Sequence, residues 1–513
     1  MAGAWFSEAE REEMATPIIR RIRKAIKSGD MEKAAALCDE LREERILLHD
    51  LFADCTTALF TWVGENLGEE TLPDMFTYCF EKSAQRQIFD LMNMDMNRGL
   101  EAELLVRGCW VAHSCSGAGE HPGAFRLEED DEKFTFIMDP CGSGGRLWRK
   151  GAYAPPRGLA VTSRAHDWSF KRAGMPYYCV HCAFLNEYMP MRYLGFPTWP
   201  VDPPADAGDE CRWYIYKDKW GVPQRYYDRY GLVKGKGATK PASGARWFTP
   251  EQMKDVVRPT PDRIRERIED GDAKAALRVA RAMAGEFFFL HSLYVGMVVS
   301  LLDFIAGRAG EEGLGEALSF LYEKCIADQV VSLAVGLERR EALRFIIHNF
   351  FLADLSGGAG FPPAKFKVTE DSGGVTVILD PCGSGGKLLR HGTYRSLGRT
   401  KRAAESLENR AMQLTVKLPL PRRLLRFAMP YAIDFLCEMR RPEGMGATSR
   451  AHVWSGRRKG MPYYCCLCTS FLEKAGEEWL RVHPPEERRQ PCVWRAAKQK
   501  ERKILFMHAG TTD

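Results

Sequence analysis

The 513-residue sequence has no apolar run long and clean enough to read as a membrane span. Phe287 to Leu302 comes nearest, yet it contains His291, stops at Asp303 and falls short of the roughly 20 apolar residues a spanning helix needs. A buried core helix is expected there, and no transmembrane segment. The opening MAGAWFSEAEREEM lacks a basic stretch followed by an apolar one, so it does not read as a secretory leader. Without one, sixteen cysteines point to the reducing cytoplasm and away from a disulfide framework.

Charge of one sign is also scarce. A formal net charge of +5 gives no general pull toward nucleic acid or an anionic membrane. There is no HExxH word, no GxGxxG fingerprint and no Ser-His-Asp arrangement. GSGGK at Gly383 to Lys387 lacks the spacing and the Ser/Thr of a phosphate-binding loop, and Arg146 stands where Lys387 does in the other copy. The sequence therefore does not name a reaction.

What it has is repetition. DPCGSGG at Asp139 to Gly145, TSRAHDWS at Thr162 to Ser169 and GMPYYCVHC at Gly174 to Cys182 return as DPCGSGG at Asp380, TSRAHVWS at Thr448 and GMPYYCCLC at Gly460. Each copy offers three cysteines and a histidine: Cys141, His166, Cys179 and Cys182, then Cys382, His452, Cys465 and Cys468. Three thiolates and an imidazole form a tetrahedral zinc set, and C-x-x-C lets one turn supply two ligands. Two zinc sites per chain are expected, with iron as the alternative metal. Redox pairs or buried thiols are the non-metal readings. A set of three cysteines and one histidine is closed, which favours a structural metal over a catalytic one.

The repetition reaches beyond these words. Gly29-Asp30, His49, Gly68-Glu69-Glu70 and Glu81-Lys82 recur 242 positions on, and Pro203-Pro204, Cys211, Trp213 and Lys217 recur 281 on as Pro484-Pro485, Cys492, Trp494 and Lys498. A period this long implies two paired domains rather than a solenoid. The expected fold is α+β by tandem internal duplication, each half a helical bundle followed by a small, loop-rich zinc-binding α/β module. The divisions are 1–16 as an N-terminal extension, 17–133 helical, 134–235 metal-binding, 236–257 a linker, 258–373 helical and 374–513 metal-binding. Apolar residues at three-and-four spacing, broken and recapped at Gly29-Asp30 and Gly271-Asp272, carry the helices. Phe134 to Met138 and Val375 to Leu379 read as short strands stopped by Asp-Pro.

Four residues beside the histidines, Ser163, Arg164, Ser449 and Arg450, are candidate binders of a small anionic molecule, or else they orient the histidine. Glu187 and Glu473 correspond; a general acid or base is one reading, and an exposed glutamate is the ordinary one. His49 and His291 read as core histidines. The second copy carries a net insertion of 45 residues, about 395–441, with eleven Lys or Arg against four acidic residues. It reads as a solvated basic face or a docking surface for protein or nucleic acid. The aromatic and cationic WYIYKDKW and QRYYDRY stretches either stack on bases or form a strand edge. A soluble zinc protein organising an anion pocket is thus weighed against a non-enzymatic adaptor or nucleic-acid-binding protein, and oligomeric state is open.

Overall fold

The structure is a computed structural model that describes residues 5–83, 97–107, 120–235, 246–331, 334, 336–348, 365–371, 374–380, 382–390, 444–482, 492–499 and 502–509. The basic insertion at 395–441 and the 236–245 part of the expected linker lie outside the described residues. The architecture is mixed helix and sheet, as an α+β fold requires.

The first helices follow the sequence grammar closely. Helix α1 (Glu8–Met14) leads to α2 (Ile18–Ser28), whose Ile18, Ile22 and Ile26 share one buried face. Gly29 then adopts a left-handed φ of 82°, and the Asp30 carboxylate accepts the Lys33 N–H at 3.1 Å to start α3 (Met31–Leu67). Helix α3 ends at Gly68, φ 91°, where a side chain would strain the backbone. Helices α4 (Leu72–Lys82) and α5 (Arg98–Leu105) follow.

The sheet-bearing part comes next. Strands β1 (Phe125–Glu129) and β2 (Lys133–Met138) form a hairpin, and the chain turns through α6 (Gly144–Arg149) and the TSRAH loop into α7 (Tyr177–Ala183). Helix α7 continues through a π-helical turn, Phe184–Tyr188, and then Met189–Leu194. Strands β3 (Val201–Asp202) and β4 (Cys211–Tyr216) complete an antiparallel sheet of order β1-β2-β4-β3.

The elements then run again. Helices α8 (Pro250–Val256), α9 (Thr260–Glu269) and α10 (Ala273–Leu321) appear in the order of α1 to α3. Asp272 caps α10 by accepting the Ala275 N–H at 2.8 Å, and α10 breaks at Gly310 (φ 74°), 242 positions after Gly68. A π-helical segment, Tyr322–Val331, and α11 (Arg339–Ile346) lead to β5 (Phe366–Asp371), β6 (Gly374–Leu379), α12 (Gly385–Arg390), α13 (Tyr463–Val482), β7 (Cys492–Gln499) and β8 (Arg502–Ala509). This second antiparallel sheet has the order β5-β6-β8-β7.

The two runs of helices pack reciprocally: α2 lies on α10, and α9 lies on α3. Their shared core contains Ile22, Ile26 and Leu41 from one run with Ile264, Ile268 and Met283 from the other. Each fully buried isoleucine contributes roughly 2 kcal/mol by leaving water. Phe52 stacks on Tyr294, His49 meets the edge of Tyr294, and His291 meets the edge of Phe52, so both histidines are core residues. Met31–Leu67 and Leu290–Ala327 are long and apolar enough by composition to cross a membrane. Their apolar windows are 78% and 72% buried inside the protein.

Described residues of the stretches expected as an N-terminal extension (1–16) and a linker (236–257) make further contacts of this kind. Trp247 and Phe248 donate their backbone N–H groups to the two oxygens of Glu129 (2.7 and 2.9 Å) at the end of β1. Trp5 and Phe6, 242 positions earlier, donate theirs to the two oxygens of Glu370 in β5, the Phe6 bond being 3.0 Å. Each Trp-Phe hook immediately precedes a capping box, Ser7 with Glu10 and Thr249 with Gln252. The helix that follows packs on the strand of the opposite half, α1 on β5 and α8 on β1.

Candidate functional site

The TSRAH loops sit where the helical part meets the sheet-bearing part. Thr162 Oγ1 accepts the Met175 N–H at 3.0 Å and donates to the Arg172 carbonyl at 3.2 Å; Thr448 does the same with Met461 and Arg458 at 3.0 and 3.1 Å. This pinches each loop shut and presents its histidine backward, toward the short turn after the long helix. There His166 Nε2 meets Glu69 Oε1, and His452 Nε2 meets Glu311 Oε2 at 2.5 Å. Each imidazole stacks on the tryptophan two residues on, Trp168 at 4.2 Å and Trp454 at 4.3 Å between centroids.

The candidate anion binders face the same acidic turn. Glu69 accepts the Ser163 backbone N–H (2.8 Å) and hydroxyl (3.0 Å) and the Tyr177 hydroxyl (2.9 Å), while Arg164 pairs with Glu70. Ser449 donates its N–H to Glu311, and Arg450 pairs with Glu312. Burial alone would raise the Glu69 carboxyl, but the bonds from Ser163, His166 and Tyr177 outweigh it and hold it below its ordinary value. Glu311 is lowered in the same way, its burial outweighed by Ser449 and His452. Each SRAH word thus forms a carboxylate-centred latch between two parts of the fold. Sequence reasoning missed its acidic half, although the repeated Gly-Glu-Glu was in view.

The cysteines gather elsewhere, around the CGSGG turn. Cys141 Sγ accepts the Ser143 N–H at 3.4 Å, and the Ser143 hydroxyl donates to the Tyr178 hydroxyl at 2.8 Å. A Cβ added at Gly144 would come within 2.9 Å of Cys179 Sγ, and one at Gly145 within 3.0 Å of Cys141 Cβ. These glycines are therefore what lets the turn lie against both cysteines. The Tyr178 hydroxyl is pushed far up, first by burial and then by the nearby Cys182, Cys141 and Cys179. Burial, then Cys141, raises the Cys179 thiol; burial, then Cys141, raises that of Cys211. In the second copy Cys382 and Cys465 are buried, and Cys382 Sγ lies 3.6 Å from Ser384 Oγ.

Spacing placed His166 with Cys141, Cys179 and Cys182, and His452 with Cys382, Cys465 and Cys468. The structure instead turns both imidazoles to glutamates. Among the described residues, no three His, Cys, Asp or Glu side chains stand in ready metal-ligand geometry. None of the described cysteines is in a disulfide.

Two further expectations are corrected here. Glu187 is fully buried rather than an exposed glutamate: it accepts the Val201 N–H (2.6 Å), Arg229 Nη1 (3.0 Å) and the Tyr230 hydroxyl (2.6 Å). Burial raises it to about 7 against the pull of Arg229 and these bonds. The tyrosines of β4 and of the segment after it are not an exposed strand edge either. Tyr214, Tyr216, Tyr226, Tyr227 and Tyr230 form a buried cluster of their own.

No family model matches the chain, and no curated protein or solved structure matches it either.

Proposed function

We propose that the chain is a tandem duplicate of one α+β unit and a cytoplasmic zinc-binding protein whose metals hold its fold. The thiolate ligands are Cys141, Cys179 and Cys182 in the first half and Cys382, Cys465 and Cys468 in the second, with iron as the alternative metal. The observation that carries it is the CGSGG turn, which occurs in both copies. Its Ser143 N–H points at Cys141 Sγ, and its Gly144 has no side chain where Cys179 Sγ needs room. Backbone N–H groups directed at sulfur, and glycines that admit it, are what a metal-bound thiolate turn requires. The reciprocal hooks and the stacked Phe52 and Tyr294 support the duplication.

Ser163, Arg164, Ser449 and Arg450 are latch residues in this proposal. An anionic ligand would have to displace Glu69 and Glu70, or Glu311 and Glu312, from them.

The test is elemental analysis of the purified, untagged chain beside Cys182→Ser and Cys468→Ser. Two zinc atoms per chain, falling to about one in each variant with loss of stability, are expected. A chain that folds without any metal would sink the proposal. Arg164→Ala and Arg450→Ala should leave metal content unchanged.

A further inference from the structure

We infer that Cys211, and not His166, is the fourth ligand of the thiol site in the first half, so that the two metal sites are chemically unequal. The inference rests on the zinc reading above and goes beyond it, because it changes the donor set of one site from three cysteines and a histidine to four cysteines.

Sheet register carries the argument. Strand β4 begins at Cys211 and runs antiparallel to β2, with Cys211 paired to Met138. Only Asp139 and Pro140 separate Met138 from Cys141. Cys211 is therefore fixed at the end of the sheet from which the CGSGG turn departs. Cys211 Sγ also accepts the Trp213 Nε1–H at 3.2 Å, as Cys141 Sγ accepts the Ser143 N–H. Such donors stabilise a bound thiolate.

His166 is turned the other way. One nitrogen is on Glu69, the other lies 3.8 Å from Glu70, and the ring face is covered by Trp168. Bringing this imidazole to the thiols means breaking the latch. Binding one Zn²⁺ by four thiols releases four protons, and no other bond changes.

The second half does not repeat this arrangement. Cys492, Trp494 and Lys498 echo Cys211, Trp213 and Lys217 in sequence, yet β8 lies between β7 and β6. Cys492 pairs with Ala509, level with the Gly374 end of β6, while Leu379, at the end leading to Cys382, pairs with Lys503. Cys492 thus stands at the far end of its sheet from the cysteine it would have to join.

The experiment measures zinc content and the visible spectrum of the Co²⁺-substituted full-length chain for wild type, His166→Ala, Cys211→Ser and Cys492→Ser. Loss of about one metal equivalent in Cys211→Ser, with full content and an unchanged cobalt spectrum in His166→Ala and Cys492→Ser, is expected. Because Cys211→Ser can lose metal simply by misfolding, the His166→Ala spectrum decides independently. Loss of one equivalent or altered cobalt bands in His166→Ala would overturn the assignment and leave the zinc reading standing. Wild type that takes up neither zinc nor cobalt would overturn both.

Discussion

Phe52 and Tyr294 stack with ring centroids 4.9 Å apart and planes 11° from parallel, although 242 positions separate them in the chain. Their neighbours His49 and His291 approach each other's partner from the two sides. The stacked pair therefore ties α3 to α10 at the middle of the helical part. Phe52→Ala and Tyr294→Ala should each cost about 3 kcal/mol. The double variant should cost clearly less than their sum, since the second truncation removes a contact already lost. Urea unfolding of the three variants measures this, and strict additivity would contradict it.

The hooks make a second prediction. A protease site placed between Gly235 and Arg246 should allow complete cleavage while the two pieces still co-elute as one particle. Glu129→Ala leaves two backbone N–H groups and Lys217 Nζ without their acceptor, at a cost of about 3 kcal/mol. Pieces that separate on cleavage at micromolar concentration would show that the exchange does not hold the halves together.

The latches contribute to the acid limb of stability. Glu69 and Glu311 are held below their ordinary 4.5 in the folded state, so their contribution is full above pH 4.5 and is lost as pH falls through the lower folded values. Glu69→Gln and Glu311→Gln should each flatten the fall in melting temperature below pH 4.5. Curves that run parallel to wild type at every pH would refute it.

Glu187 acts in the opposite sense and in another window. Raised from 4.5 to about 7, it binds a proton more tightly folded than unfolded, so stability falls as pH rises from 4.5 to about 7. Glu187→Gln keeps an acceptor for the Val201 N–H and should reduce that decline, most of all between about pH 6, where the buried Asp54 has titrated, and about 7. A slope that is unchanged in the variant would place its origin elsewhere.

The helices were legible in the sequence because their signals are local. Isoleucines at three-and-four spacing, Gly29 and Gly271 as stops, and Asp30 and Asp272 as caps all act within a few residues. Strands β2 and β6 were legible from the Asp-Pro that ends them. What sequence reasoning missed is non-local or lies in the main chain. The hooks donate through peptide N–H groups, which nearly every residue carries, and their glutamate acceptors look like any surface acid. The spacing of His166 to Cys179 repeats and is local, whereas its contact with Glu69 joins positions 97 residues apart. Glu187 is buried by Arg229 and Tyr230, 42 and 43 residues away. No local pattern reports such a distance.

The exchanged hooks also place a timetable on synthesis. Trp5 leaves the ribosome early, but Glu370, which receives it, is made 365 residues later. At about 5–20 residues per second that is a wait of roughly 20 to 70 s. The hook beginning at Trp247, by contrast, meets a Glu129 that already exists. The amino-terminal hook is thus the later of the two to find its seat, and through that interval α1 must stand without its sheet. A chain built this way closes its amino-terminal hook only after Glu370 has been translated.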